Sequence, residues 1–356
     1  MNTLDYDLPE SLIAVRPAEP RDAARMLVVG ADGRLEDHHV RDLPAFLGKG
    51  DRLIFNRTAV LPARFHAQRT TGGRLEGLFL SEPEVGTWRM MLKANRSPRA
   101  GDRIDLLGPD MAPAGRTLEI VERDGDAWVA SMTPPAAATV VLPEIGLTPL
   151  PPYILRARRD RAIALDDRLD RSWYQTVYAA ASDQHSVAAP TAGLHFTPAL
   201  LDRIDAAGVE RRFVTLHVGT GTFKPVTTEN LADHPMHRES YAVPAATLAE
   251  LRKSTGRTIA VGTTTVRTLE SLPEPLPTEP ITSSTDLLIA PPYRFRHVDG
   301  FLTNFHLPRS TLLALVAARL GLQRTMEIYE EAVRRAYRFY SYGDAMLILP
   351  EADPGS

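Results

Sequence analysis

The chain has 356 residues, 44% of them hydrophobic, a formal net charge of −3 and no cysteine. That length supports two domains or one large one. The lack of cysteine excludes disulfides, thiolate nucleophiles and cysteine-ligated zinc or iron–sulfur centres, and near-neutral charge confines any nucleic-acid contact to a local arginine patch.

In chain order, the opening TLDYDLPE lacks the basic start and apolar core of a signal peptide. The longest apolar run, Leu312 to Ala318, is too short to span a bilayer, so a soluble cytoplasmic protein is expected. Between about Arg64 and Leu150, short alternating runs (RLEGLFL, TWRMML, DRIDLL, TLEIV, AWVASM) are separated by Gly, Pro and Asp turns. That is the pattern of a small antiparallel barrel or sandwich. The prolines from Pro143 to Pro152 read as the return crossing from this insert. The segment Arg156 to Arg171, RARRDRAIALDDRLDR, is arginine-rich but interleaved with aspartates, which predicts a solvated surface loop or helix.

From Pro198 onward, helical and strand-like stretches alternate. TPALLDRIDAAGV reads as a helix, RRFVTLHV as a strand, AATLAELRKSTG as a helix and RTIAV as a strand, with STLLALVAARLG and TMEIYEEAVRRAYRF as further helices. The alternation predicts a layered α/β domain, discontinuous over 1–63 and 151–356, with an inserted β-domain over 64–150.

Several polar motifs sit where strands run into helices. Val187 to Thr197, VAAPTAGLHFT, and Leu216 to Phe223, LHVGTGTF, combine glycine, threonine and histidine, the residues of binding loops. Gly262 to Glu270, GTTTVRTLE, opens a helix whose free N–H groups suit an anionic group. Two histidines and a glutamate fall within His234 to Glu239, but Pro235 disfavours a regular metal-binding face. No metal is expected, and His237 and Glu239 are candidates for proton transfer. Thr303 to Thr311, TNFHLPRST, offers Asn304 and His306 to a heterocycle, with Ser310 or Thr311 as helix cap. Tyr337 to Met346, YRFYSYGDAM, adds aromatic faces and Asp344.

Further motifs occur in the same chain: DYDLPESLIA, GDRLIFN, VLPAR, YQTVYA, AVGTTTVRTLES, VDGFLTNFHLPRSTLL and YRFYSYGDAMLI. In this order they closely resemble the S-adenosylmethionine:tRNA ribosyltransferase-isomerases of queuosine biosynthesis, over nearly the whole chain. The resemblance implies an α/β domain with an inserted antiparallel β-barrel. It also implies an activity: the ribosyl part of S-adenosylmethionine is transferred to a 7-aminomethyl-7-deazaguanine at the tRNA wobble position. The ribose rearranges to the epoxycyclopentane of epoxyqueuosine, and adenine and methionine leave. S-adenosylmethionine is then a consumed substrate, no cofactor or metal is needed, and a monomer is expected.

On this basis His195, His217 and His237 are the expected proton-transfer groups, with Glu239 orienting one of them. Thr191, Gly193, Gly219, Thr220, Gly221, Thr263, Thr264, Arg267, Asn304, His306, Tyr342 and Asp344 are the expected substrate contacts. Four positions depart from the family pattern. Phe55 to Val60 reads FNRTAV where FNDTRV is usual, His185 replaces a glycine, and so does Pro292. Arg57 and Ala59 keep open an alternative acceptor, a free deazapurine or another small amine, and a non-catalytic RNA-binding role is a third reading.

Overall fold

The protein's structure, a computed structural model, describes residues 4–180, 184–218, 236, 238–253 and 255–350, with backbone alone at 184 and 185. The chain begins with β1 (Arg25–Val29), β2 (Leu35–His39), β3 (Arg52–Asn56) and the short β4 (Ala59–Val60). Then come β5 (Arg64–Arg69), β6 (Arg74–Glu84), β7 (Thr87–Ala94), β8 (Arg103–Leu107), β9 (Pro113–Asp124) and β10 (Ala127–Thr133). Next are α1 (Ala138–Ile145), α2 (Pro152–Asp160), α3 (Asp167–Trp173), β11 (Gln184–Ser186), α4 (Pro198–Ala206) and β12 (Glu210–Leu216). β13 (Glu239–Val243), α5 (Ala245–Leu251), β14 (Thr258–Val261), α6 (Thr263–Glu270) and β15 (Ile281–Thr285) follow. The last elements are β16 (Gly300–Asn304), α7 (Thr311–Leu320), α8 (Leu322–Arg334) and β17 (Ala345–Ile348).

Nine strands form one sheet in the order β15-β13-β12-β3-β14-β16-β17-β1-β2, in which β12, β3, β14 and β16 run parallel. Parallel strands covered on both faces read as apolar runs, and β3 is buried throughout. Its pleat separates two cores. Leu53 and Phe55 pack with Leu200, Leu201 and Ile204 of α4, whereas Ile54 joins Val266 and Leu269 of α6 and the buried faces of α7 and α8. The expected α/β layering is therefore present, with helices on both faces of the sheet.

Arg52 interrupts the apolar run of β3 for a reason. Its buried guanidinium donates to Glu250 O at 2.8 Å and Gly256 O at 3.0 Å, capping the carboxyl end of α5, where a cation meets the helix dipole.

Strands β5 to β10 close into a barrel in the order β10-β7-β6-β5-β8-β9, which decides between the barrel and the sandwich. Trp88 fills its centre, with Phe65 and Phe79 edge-on at 5.6 and 5.2 Å. Helix α1 lays Val141, Leu142 and Ile145 on this core.

Two expectations need correction. Pro143 lies inside α1, because burial of its apolar neighbours outweighs the lost helical hydrogen bond, and Pro152 opens α2; only Gly146 to Pro151 remains as the crossing. The arginine-rich segment is also not wholly solvated. Both Nη atoms of Arg158 donate to the two carboxylate oxygens of Asp170 at 2.7 Å, in a pair only 3% and 5% exposed. Charges that close can be buried because each satisfies the other.

Candidate functional site

The parallel strands β3, β12, β14 and β16 end on one edge of the sheet, the side where ligands collect in α/β layers. Asn56, the last residue of β3, ties that edge together. Its Nδ2 donates to Leu216 O at 3.0 Å and Thr264 Oγ1 at 3.3 Å, and its Oδ1 accepts from Thr58 N at 3.2 Å and Leu216 N at 3.1 Å. Gly262, at φ 90°, turns the chain from β14 into α6 in a conformation that suits glycine.

A cleft opens beside this knot, lined by Thr191, Gly262, Thr263, Thr264, Thr303, Asn304 and His306, with Tyr153, Tyr340 and Ser341 opposite. Among the described residues no charged side chain lines it. Asn304 Oδ1 accepts from Thr191 Oγ1 at 3.0 Å while its Nδ2 donates to Tyr340 O at 3.0 Å, so one lone pair and one N–H of the amide remain for a ligand. Tyr153 Oη lies 2.5 Å from Ser341 Oγ, and burial pushes the Tyr153 hydroxyl up to about 12. Tyr340 holds φ 71°, a strained conformation for an aromatic residue, fixed by hydrogen bonds from Asn304 and to Phe305 O.

His306 is buried with Nε2 2.8 Å from Thr303 Oγ1, and burial lowers its pKa from the ordinary 6.5 to about 3. The folded protein therefore keeps this ring neutral, while the unfolded chain protonates it below roughly 6.5. The stability it contributes is complete above that pH and is lost as the pH falls toward 3. We expect His306→Gln to flatten the pH dependence of urea unfolding between pH 6.5 and 4. An unchanged slope would contradict the assignment.

Other expected site residues fall elsewhere. His195 is buried away from the cleft, with Nδ1 and Nε2 each 3.0 Å from a backbone carbonyl, of Ala192 and Gly343, and burial lowers its pKa. It ties two loops together and is not among the residues that line the cleft, so the structure does not bring the expected proton-transfer group to it. Gly193 is required by packing and does not contact the cleft. A Cβ there would stand 1.9 Å from Tyr178 Oη and 2.9 Å from Thr176 Cγ2. Gly193→Ala should cost about 1–3 kcal/mol of stability, in part recovered by adding Tyr178→Phe; calorimetry of the single and double variants checks this.

Asp344 accepts hydrogen bonds from Arg25 N at 3.1 Å and Arg338 N at 2.8 Å and forms an ion pair with the Arg338 guanidinium. Tyr342 is buried edge-on to Tyr174 at 6.0 Å. Neither is among the residues that line the cleft, so the structure does not bring these two expected substrate contacts to it. Gly219, Thr220, Gly221 and His237 lie outside the described residues.

Glu239 and Arg267 were expected in different roles, yet they form one buried ion pair joining β13 to α6. Arg267 Nε also donates to Leu287 O at 3.1 Å, and its Nη2 has no hydrogen-bond partner among the described residues. His217 follows the end of β12. Its N donates to Ser240 O at 3.1 Å, next to Glu239, and its Nδ1 lies 3.0 Å from Thr58 Oγ1. Half-buried, it directly precedes the cleft-lining Val218.

Sequence reasoning did not single out Asn56, Thr58, Tyr153 or Ser341, and it offered Tyr340 only as one of the aromatics of YRFYSYGDAM. An asparagine closing an otherwise apolar strand was the one local signal available. Of the two departures in FNRTAV, Ala59 is buried in β4 against β11, and Arg57 N donates to Val214 O at 2.9 Å. Among the described residues no three His, Asp or Glu side chains cluster as metal ligands. No helix among them is long and apolar enough to cross a membrane.

A family model described as queuosine biosynthesis protein matches residues 1–348. The S-adenosylmethionine:tRNA ribosyltransferase-isomerase of Acidithiobacillus ferrooxidans is 46% identical over 351 residues, covering 98% of this chain and 97% of that protein. Its counterpart from Thermus thermophilus is 47% identical over 357 residues, covering 98% and 99%. The crystal structure of S-adenosylmethionine tRNA ribosyltransferase from Thermotoga maritima is similar at a TM-score of 0.54 and 34% identity, over 98% of this chain and all of that one (100%).

Proposed function

The chain belongs to the queuosine biosynthesis protein family, and we propose that it works as an S-adenosylmethionine:tRNA ribosyltransferase-isomerase with the neutral cleft as its active site. The observation that carries this reading is the convergence of four separate motifs on one uncharged, hydroxyl-lined wall: Thr191, Gly262 to Thr264, Thr303 to His306, and Tyr340 with Ser341. The acceptor we infer is 7-aminomethyl-7-deazaguanine at the wobble position of the tRNA.

The substrate's own chemistry supplies much of the reactivity. A sulfonium acidifies the C5′ hydrogens and later departs as the thioether of methionine. Among the described residues the cleft lining carries no counterion for that cation, which favours the steps that discharge it. The aromatic faces of Tyr153 and Tyr340 are suited to hold it beforehand. The protein then has to supply a base, hydrogen bonds for the leaving adenine, and positioning.

Among the described histidines near the sheet edge, His195 is pinned and His306 is held neutral by burial. His217 is therefore our base, oriented by Thr58, while Glu239 and Arg267 act as positioning residues that fix β13 beside it. Asn304 and His306 offer the adenine edge an amide and an uncharged imidazole. A free deazapurine as acceptor has no specific observation in its favour.

The test incubates the protein with S-adenosylmethionine and one of three acceptors: tRNA carrying the aminomethyl base, tRNA lacking it, or the free base. Adenine release should require the first. Release with the free base alone would overturn the acceptor, and no release with any of them would overturn the activity.

A further inference from the structure

We propose that the end of the β-barrel remote from the large sheet is a basic rim that grips the phosphate backbone of the acceptor tRNA. The inference rests on the tRNA-modifying reading above and adds a surface to it.

The topology brings the rim together. β5 starts at Arg64, which pairs with Leu147 at the barrel's root, and ends at Arg69. β6 starts at Arg74, β7 ends at Ala94 and β8 starts at Arg103, so the turn 70–73 and the loop 95–102 share the opposite end. Arg74, Lys93, Arg96 and Arg99 are all exposed there, and none has an ion-pair partner among the described residues. Most acids at this end are already engaged, Glu76 with Arg64 at 3.5 Å, Asp102 with Arg69 at 3.7 Å, Glu119 with Arg103 at 2.9 Å and Asp124 with Arg89 at 2.5 Å, while Glu122 and Asp126 sit with Arg123 at the turn between β9 and β10. Arg69 also donates to Arg96 O at 2.6 Å, fastening the loop.

Many arginines elsewhere on the surface are neutralised. Arg156 and Arg159 pair with Asp160, Arg211 with Asp205 and Arg334 with Glu331. Together with Arg123, the four rim cations outnumber Glu122 and Asp126 on one barrel end, and in a chain of net charge −3 they make a local positive field that composition alone does not predict.

The rim is positioned to act on a polymer held in the cleft. Val187 packs into the barrel core while the adjoining Ala188 and Ala189 line the cleft, so the barrel's root abuts the site. The five steps of β5 from Arg64 to Arg69, at a rise of about 3.3 Å each, carry the rim roughly 16 Å outward. A small amine in the cleft cannot span that distance, but a folded RNA can. Guanidinium forks match phosphate oxygens two at a time, and helical RNA is read chiefly through its backbone.

The test is the quadruple variant Arg74→Gln/Lys93→Gln/Arg96→Gln/Arg99→Gln, which alters only exposed side chains. The KM for full-length tRNA should rise roughly 10- to 100-fold, with kcat at saturating tRNA and KM for S-adenosylmethionine unchanged. The slope of log affinity against log salt should fall by about 3, since each phosphate contact contributes roughly 0.7–0.9. Arg156→Gln/Arg159→Gln, which removes acid-paired arginines, should change neither. Unaltered KM and salt slope in the quadruple variant overturn the rim, as does a loss of binding to an acidic protein with tRNA affinity intact. Filter binding of the same tRNA reads the rim even if the wild-type protein releases no adenine, an outcome that would instead sink the activity.

Discussion

His217→Ala is expected to slow single-turnover adenine release by roughly 10²- to 10⁴-fold, the range for a positioned general base, while binding of S-adenosylmethionine changes little. The expectation follows from elimination and geometry together. His195 faces two backbone carbonyls and His306 is kept uncharged by burial. His217 is half-buried at the sheet edge, next to the cleft-lining Val218 and held through Nδ1 by Thr58 Oγ1 at 3.0 Å. Thr58→Val should produce a smaller loss, about tenfold, with a shifted pH profile, because it frees the ring without removing it. A loss of substrate affinity with unchanged single-turnover rate in His217→Ala would refute the assignment. Separating binding from chemistry in this way distinguishes a base from a wall of the cleft.

Asp170→Ala should lower the unfolding free energy by about 3–5 kcal/mol, the cost of leaving a buried charge unpaired. Arg158 would keep its Nε bond to Val15 O at 3.0 Å but lose both bonds to the carboxylate, with its side chain only 3% exposed. The double variant Arg158→Met/Asp170→Leu should recover much of the loss, since an apolar pair of similar volume avoids desolvating either charge. Urea unfolding of the three proteins checks this. Equal destabilisation in the single and double variants would mean that the pair contributes through packing alone. Arg158 lies in α2 together with the cleft residue Tyr153, so a loosened pair should also raise the KM for S-adenosylmethionine.

Much of the layered fold is legible in the sequence because the periodic signals are strong. The apolar run of β3 and the amphipathic patterns of α4, α7 and α8 are local properties. Strand order is not local: nothing near Ile54 indicates that β12 and β14 will flank β3, 150 or more residues downstream. Thr191, Thr263, Thr264, Asn304 and His306 were recognisable because hydroxyl and amide residues at strand ends have little other use. His195 and Gly193 have residue types that suit chemistry, but the histidine bridges two loops and the glycine makes room for Tyr178, contacts that no local pattern announces. Glu239 and Arg267 come from separate motifs, and their partnership exists only across the packing of β13 on α6. Tyr340 and Ser341 sat in an aromatic run whose burial could not be assigned without the turn that strains Tyr340.

The most direct measurement is the nucleoside composition of the tRNA after a single turnover, by mass spectrometry, alongside adenine release. The account predicts one epoxyqueuosine formed for each adenine released, with both lost together in His217→Ala. Adenine released without a change in the tRNA nucleoside would contradict it.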